Sequence, residues 1–179
     1  MKPRQTLEAF DDWLSKRSLH LDAVVVGGAA LSLLNVTTRQ TRDVDILDPH
    51  LPLEILEAAR AFAEHQRMHG VELDSEWLNN GPLPVANLLP DGWRGRLRSA
   101  FVGHALRLAS LGHLDLLKTK LFALCDRGTD LSDCVAMGPT ADELAEAEEW
   151  VARQDSNPMW PAHVSATFYD LRQRLGYAP

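Results

Sequence analysis

Residues 23–48 read AVVVGGAALSLLNVTTRQTRDVDILD. A short β-branched run ends on two glycines, Gly27 and Gly28, where the backbone must turn sharply or approach another group closely. The run predicts a strand over 23–26 that is buried on both faces, and the alanine- and leucine-rich residues after it predict a short helix over 29–34. The start of such a helix offers unpaired N–H groups and the positive end of a dipole, which favour phosphate.

The second half of this stretch places two acids, Asp43 and Asp45, on a predicted strand over 43–47. Side chains alternate along a strand, so acids separated by one residue project from the same face. Like charges that close repel each other unless a cation lies between them. Mg²⁺ accepts carboxylate and phosphate oxygens together. Beside a glycine turn that favours phosphate, the pattern indicates a site for a metal ion and a nucleoside triphosphate.

Composition narrows the class of protein. The 179 residues are 45% hydrophobic, which is typical of a folded domain and excludes wholesale disorder. The net charge of −7 argues against a protein that coats nucleic acid non-specifically. Cys125 and Cys134 lack the spacing of a zinc site or a disulfide framework, which indicates a reducing cytoplasm. Since no apolar run approaches the roughly 18 residues of a membrane helix, we expect no membrane partner.

The order of predicted elements indicates an α+β (α/β) fold with a small mixed sheet, followed by a helical C-terminal part. We expect residues 1–112 to form the core and residues 113–179 to pack on it as one compact unit. The other elements predicted in the core are helices over 4–18 and 53–68, an irregular region with one short strand over 71–96, and hairpin strands over 99–102 and 106–110. The predicted C-terminal helices cover 113–126, 130–137, 140–154 and 163–175.

Two motifs resemble those of minimal nucleotidyltransferases of the DNA polymerase beta superfamily. The pattern Arg-x-Thr-x-Asp-x-Asp after the glycine pair is most similar to the branch of abortive-infection, type IV toxin–antitoxin nucleotidyltransferases. The first motif consists of Gly27, Gly28, Arg39, Thr41, Asp43 and Asp45. A second block, KTKLFALCDRGTDLSD over residues 118–133, is similar to the downstream motif of that branch. It contributes Lys120, Arg127, Asp130 and Asp133.

The resemblance implies a polymerase-beta-like core and assigns a role to each of these residues. It implies catalytic roles for Asp43, Asp45, Lys120 and Asp133, with Mg²⁺ (or Mn²⁺) bound by Asp43 and Asp45. It implies nucleotide contacts at Gly27, Gly28, Arg39, Thr41, Arg127 and Asp130. The expected reaction moves a nucleoside monophosphate from a triphosphate to an acceptor hydroxyl, with RNA, tRNA or a protein as acceptor. A partner protein of a toxin–antitoxin pair is a further expectation.

Each of these residues also has a purely structural interpretation. The aspartate pair could lie on a solvated edge strand or in a turn, Lys120 could be a solvated lysine, and Arg127 could pair with Asp130 or Asp133. Asp130 could simply stabilise the first turn of a helix.

The third acid that many members of this superfamily carry is not evident in the sequence, because the hairpin over 99–110 contains none. Asp74, Glu76 and Asp91 are unplaced candidates. The alternative function is therefore a catalytically impaired, nucleotide-binding or antitoxin-like module. A small-molecule adenylyltransferase of the aminoglycoside type, with these three acids around a cationic acceptor, is a weaker alternative.

Overall fold

The computed structural model describes residues 1–177. The chain divides into two compact units, residues 1–112 and the part that begins at His113. Among the described residues, the first unit contains a five-stranded mixed sheet with helices, and the second unit is helical. The predicted α+β class is confirmed.

The first unit begins with a helix and then alternates between strands and helices. In chain order its elements are α1 (Pro3–Ser15), β1 (Leu21–Val26), α2 (Gly27–Leu33), β2 (Val44–Asp48), α3 (Leu53–Met68), β3 (Leu78–Asn79), β4 (Arg98–Val102) and β5 (Leu106–Ser110). Two short 3₁₀ helices, Leu83–Asn87 and Trp93–Arg96, lie in the region predicted to be irregular, residues 71–96.

The sheet has the order β3-β2-β1-β5-β4. The central strand β1 is parallel to β5 and antiparallel to β2, whereas β2 is parallel to β3 and β4 is antiparallel to β5. Because β1 and β2 run in opposite directions, the end of β1 meets the start of β2, with Val26 paired with Asp45. The glycine turn and the aspartate pair are therefore placed at the same edge of the sheet.

The core of this unit explains why β1 reads as a continuous apolar run. Val24, Val25 and Val26 are all buried, as expected of a central strand covered on both faces. An aromatic cluster joins α1 to α3, with the ring of Phe10 5.3 Å from Phe62 and 5.1 Å from Trp77. Aromatic pairs at such separations add to the free energy gained by burying their area.

A buried carboxylate on α1 holds the β4–β5 hairpin. The backbone N–H of His104 donates to Asp11 Oδ2 at 3.0 Å, and those of Ala105 and Leu106 donate to Oδ1 at 2.8 and 2.7 Å. A Cβ at Gly103 would overlap this carboxylate, so only glycine fits there. These bonds fix the hairpin turn, and with it the position of β5 beside β1.

The second unit consists of helices in its described part. They are α4 (His113–Arg127), α5 (Leu131–Ala136), α6 (Ala141–Val151) and α7 (Trp160–Leu175). The start of α6 is fixed by a capping box, in which Thr140 and Glu143 each bond the other's backbone N–H. Among the described helices, none combines the length and the apolar character needed to cross a membrane.

Several predicted boundaries differ from the observed ones. The prediction for α3 is confirmed at both ends, and the left-handed residue Gly70 follows it as expected. The first helix ends at Ser15 rather than at 18, and α7 begins at Trp160 rather than at 163, because Pro161 is accommodated in its first turn. Two further differences concern the candidate site. The helix after β1 begins at Gly27 itself, and Asp43 directly precedes β2.

Candidate functional site

Gly27 and Asp45 are in close contact at the edge of the sheet. Gly27 has a left-handed φ of +70°, and a Cβ added to it would lie 2.7 Å from Asp45 Oδ2. That distance is shorter than a non-bonded contact allows, so the carboxylate occupies the space that any larger residue would fill. The missing side chain therefore lets the carboxylate reach the backbone at the start of α2.

Thr41 and Arg39 of the first motif lie beside the next glycine, Gly28. A Cβ at Gly28 would lie 3.2 Å from Thr41 Oγ1 and 3.9 Å from a guanidinium nitrogen of Arg39. The hydroxyl of Thr41 donates to Asp43 Oδ1 at 3.3 Å. The structure thus brings the six residues of the first motif together around the glycine turn, with both carboxylates half-buried.

The helix at this turn is shorter than a strong dipole would require. The α2 helix has seven residues, and the side chain of its capping position, Val26, makes no capping hydrogen bond. Its dipole therefore contributes little to any phosphate contact, because the effect depends on aligned peptide units. The charge of Arg39 and the close backbone approach at Gly28 are the stronger features of the turn.

The side chains of Asp43 and Asp45 provide the type of ligand atom that a hard divalent cation requires. Both are carboxylates, the donor type that Mg²⁺ prefers, and the absence of a Cβ at Gly27 leaves Asp45 Oδ2 beside open backbone. Within residues 1–177, however, no group of three or more His, Cys, Asp or Glu side chains is placed to hold a metal ion. A cation here would take its remaining ligands from phosphate or water.

Asp74, Glu76 and Asp91, the candidates for a third acid, do not complete a cation site. Glu76 pairs with Arg60 at 3.0 Å on the exposed surface, and Asp91 is exposed before the second 3₁₀ helix. Asp74 Oδ1 accepts from the N–H of Glu76 at 2.8 Å. Asp74 also lines an open cavity of about 460 Å³ together with Arg42 and Arg67, so that cavity has mixed charge. Its lining gives no support to an acidic pocket for a cationic acceptor.

The second motif forms a buried ionic cluster within the helical unit. The ammonium of Lys120 on α4 lies 2.7 Å from Asp133 Oδ2 and 3.1 Å from Asp130 Oδ1. Lys120 is 5% exposed and Asp133 is 1% exposed. The interpretation of Lys120 as a solvated lysine is wrong, because helix packing encloses it and the two carboxylates compensate its charge. Lys118 is also buried, and its ammonium lies 2.7 Å from Glu146.

The remaining residues of the second motif lie at the rim of this cluster. Arg127 is largely exposed and lies 3.5 Å from Asp130, the structural partner anticipated for it. Asp130 directly precedes α5 and has a left-handed φ of +70°, a conformation that aspartate tolerates better than most residues, but its side chain makes no capping hydrogen bond. Burial, followed by the negative charge of Asp130, raises the pKa of the neighbouring Cys134 to about 12, so this thiol stays protonated.

The sequence analysis did not identify two residues that shape the first unit, Asp11 and Asn79. Asp11 is an acid on the apolar side of an amphipathic helix, a breach of the periodicity that could have marked it as a buried, bonded carboxylate. Asn79 is paired with Asp45 across β2 and β3. The strand that carries it has only two residues, too few for a periodic signal.

Comparison with known proteins adds one finding to this geometry. A family model described as a nucleotidyltransferase of unknown function (DUF6036) matches residues 5–138 of the 179. The matched range includes both motifs. No curated protein and no solved structure matches the chain.

Proposed function

This chain belongs to that nucleotidyltransferase family, and on this premise we propose that it transfers a nucleoside monophosphate from a triphosphate to an acceptor hydroxyl with Mg²⁺ as cofactor. The observation that carries the proposal is that Asp45 lies against Gly27 and Thr41 lies against Gly28, while the Thr41 hydroxyl donates to Asp43. A purely structural turn would not require two half-buried carboxylates beside consecutive glycines.

The chain's own residues would bind and orient the triphosphate. Asp43 and Asp45 would hold Mg²⁺, which when bound neutralises phosphate charge and favours departure of pyrophosphate. Gly28 has no side chain of its own, which favours the close approach of a phosphate to its backbone, and Arg39 adds positive charge beside that turn. The hydroxyl of Thr41 holds the Asp43 carboxylate in one orientation. These contacts act by positioning, which is the main requirement of phosphoryl-type transfer.

We also propose that the acceptor is an RNA, such as tRNA, or a protein, and that the activity serves a toxin-like role. These finer points rest on the resemblance of the motif over residues 39–45 to the toxin–antitoxin branch. A partner protein that neutralises the enzyme belongs to the same proposal.

A labelling experiment tests the reaction. The protein is incubated with each of the four α-³²P nucleoside triphosphates, Mg²⁺, total RNA and cell extract, and label is followed into RNA, protein and small molecules. We expect transfer by the parent and a loss of at least about 100-fold in Asp45→Asn, because the neutral amide is a poor ligand for the cation. Asp48→Asn, an acid at the far end of β2, is the matched control and should retain activity. Equal labelling by Asp45→Asn and the parent would contradict the proposal.

A second candidate function is a nucleotide-binding module without catalysis. The observation in its favour is that no third acidic or histidine side chain joins Asp43 and Asp45 within residues 1–177. This candidate predicts that a non-hydrolysable triphosphate binds and that no label is transferred to any acceptor. Transfer of label that depends on Asp45 would exclude it.

A further inference from the structure

Asn79 lies beside Asp45 on the neighbouring strand. The strands β2 and β3 are parallel, with Val44 paired with Leu78 and Asp45 paired with Asn79. Paired residues of adjacent strands project from the same face, and the strands lie about 4.8 Å apart. Burial agrees with this register, because Val44 and Leu78 are buried whereas Asp45 and Asn79 are both half-buried.

One short and one long hydrogen bond hold the amide of Asn79. Its Oδ1 accepts from the N–H of Gly81 at 2.7 Å, and its Nδ2 donates to the carbonyl of Glu76 at 3.5 Å. The first bond is short and the second is at the limit of hydrogen-bond distance. An aspartate has the same shape, so it would keep the bond to Gly81 and present a second oxygen where Nδ2 now lies.

We propose that Asn79 is a third residue of the cation site, and that its neutral amide keeps the charge of the site at two carboxylates. This inference rests on the proposed function, because it concerns the cation that Asp43 and Asp45 would hold. Affinity for a hard divalent cation follows the number of charged oxygen ligands. Two carboxylates alone bind such a cation weakly, so firm binding at this site depends on the oxygens of the triphosphate.

Mn²⁺, which is paramagnetic, is the probe. Free Mn²⁺ is measured by electron paramagnetic resonance in titrations of the parent and of Asn79→Asp, with and without a non-hydrolysable ATP analogue, and the Mn²⁺ bound by the analogue alone is measured without protein and subtracted. We expect Asn79→Asp to bind Mn²⁺ at least about tenfold more tightly than the parent without nucleotide. Gln5→Glu adds the same charge on the exposed side of α1 and should change the affinity less than about twofold.

Thermal unfolding provides a second readout. The added carboxylate beside Asp45 should lower the melting temperature in EDTA, because like charges repel, and Mn²⁺ should restore it. For the parent, the analogue should raise the affinity for Mn²⁺ at least about tenfold. Parent protein that binds Mn²⁺ equally well without the analogue would overturn the inference, even if Asn79→Asp does not fold.

The outcomes separate this inference from the proposed function. If Asn79→Asp binds Mn²⁺ no better than Gln5→Glu, while Asp45→Asn weakens the binding of Mn²⁺ with the analogue, the inference fails and the proposed function stands. If Asp45→Asn binds Mn²⁺ with the analogue as tightly as the parent does, the proposed cation site fails and the inference fails with it.

Discussion

At the scale of single residues, Gly27 carries the strictest requirement of the candidate site. Its φ of +70° is open to glycine at no steric cost, and the Asp45 carboxylate fills the space of its missing side chain. The neighbouring Gly28 does not have a left-handed φ, and a Cβ there would meet its nearest atom, Thr41 Oγ1, at the longer distance of 3.2 Å. Two adjacent glycines therefore differ in how much the fold depends on them.

This difference gives a paired prediction. Gly27→Ala should lower the free energy of unfolding by about 2 kcal/mol or more, because it combines left-handed strain with a clash against Asp45. Gly28→Ala should cost less than about 1 kcal/mol. Urea unfolding at neutral pH measures both. Equal stability of Gly27→Ala and the parent would show that the Asp45 carboxylate is not held against this turn.

At the scale of elements, the carboxylate of Asp11 connects helix α1 to the β4–β5 hairpin. Burial acts to raise the pKa of Asp11, but the N–H donors of His104, Ala105 and Leu106, together with the charge of His104, hold the pKa below its ordinary value. The native state therefore favours the charged carboxylate more strongly than the unfolded state does. The resulting stabilisation is present above the unfolded pKa of about 3.9 and is lost as the pH falls through the lower, native pKa.

Asp11→Ala should lower the stability by about 3 kcal/mol at neutral pH, because it leaves buried N–H groups of the hairpin without an acceptor. The difference in the free energy of unfolding between Asp11→Ala and the parent should become smaller as the pH falls below about 4. Chemical unfolding of both proteins at pH values across this range measures the difference. Asp12→Ala, at an exposed position of the same helix, should change stability by less than about 0.5 kcal/mol at every pH. A difference for Asp11→Ala that is independent of pH would contradict the ionic role of the carboxylate.

The contacts between helices α4 and α5 give a second prediction at this scale. Lys120→Met should destabilise the protein by about 3–5 kcal/mol, because it leaves the carboxylate of Asp133 buried without its partner. Lys118→Met should cost about 1 kcal/mol, because its partner Glu146 is 58% exposed and can be solvated. Thermal and urea unfolding compare the two variants. Similar losses for both would show that the Lys120 cluster adds no more to stability than a single ion pair.

At the scale of the whole molecule, the elements with local signals were predictable from the sequence. The apolar run of β1, the periodic helix α3 and the hairpin strands all follow from patterns within a few residues. The contacts that could not be predicted join residues far apart in the chain. Asp11 and His104 are 93 residues apart, and the register of Asp45 with Asn79 depends on a strand of two residues.

In the candidate site too, features with a local sequence signal were predictable and contacts between distant residues were not. The order of a strand, two glycines and Asp45 on the next strand was sufficient to predict that Asp45 lies near Gly27, as observed. That Asp43 and Asp45 project from one face of a strand stays a prediction, because Asp43 precedes β2. The burial of Lys120 and Lys118 was not predictable, because helical periodicity places a lysine on a face without indicating what covers that face. The family match over residues 5–138 contains both motifs and supports transferase chemistry for the whole family.

The central claim is that Asp43 and Asp45 hold a divalent cation together with a nucleoside triphosphate, and calorimetric titration tests it most directly. A non-hydrolysable ATP analogue is titrated into the parent, Asp43→Asn and Asp45→Asn, each in Mg²⁺ and in EDTA. We expect the parent to bind in Mg²⁺ and to lose at least about tenfold in affinity in EDTA, with both variants weak in either condition. Binding of equal strength by all three proteins, with or without Mg²⁺, would contradict the claim.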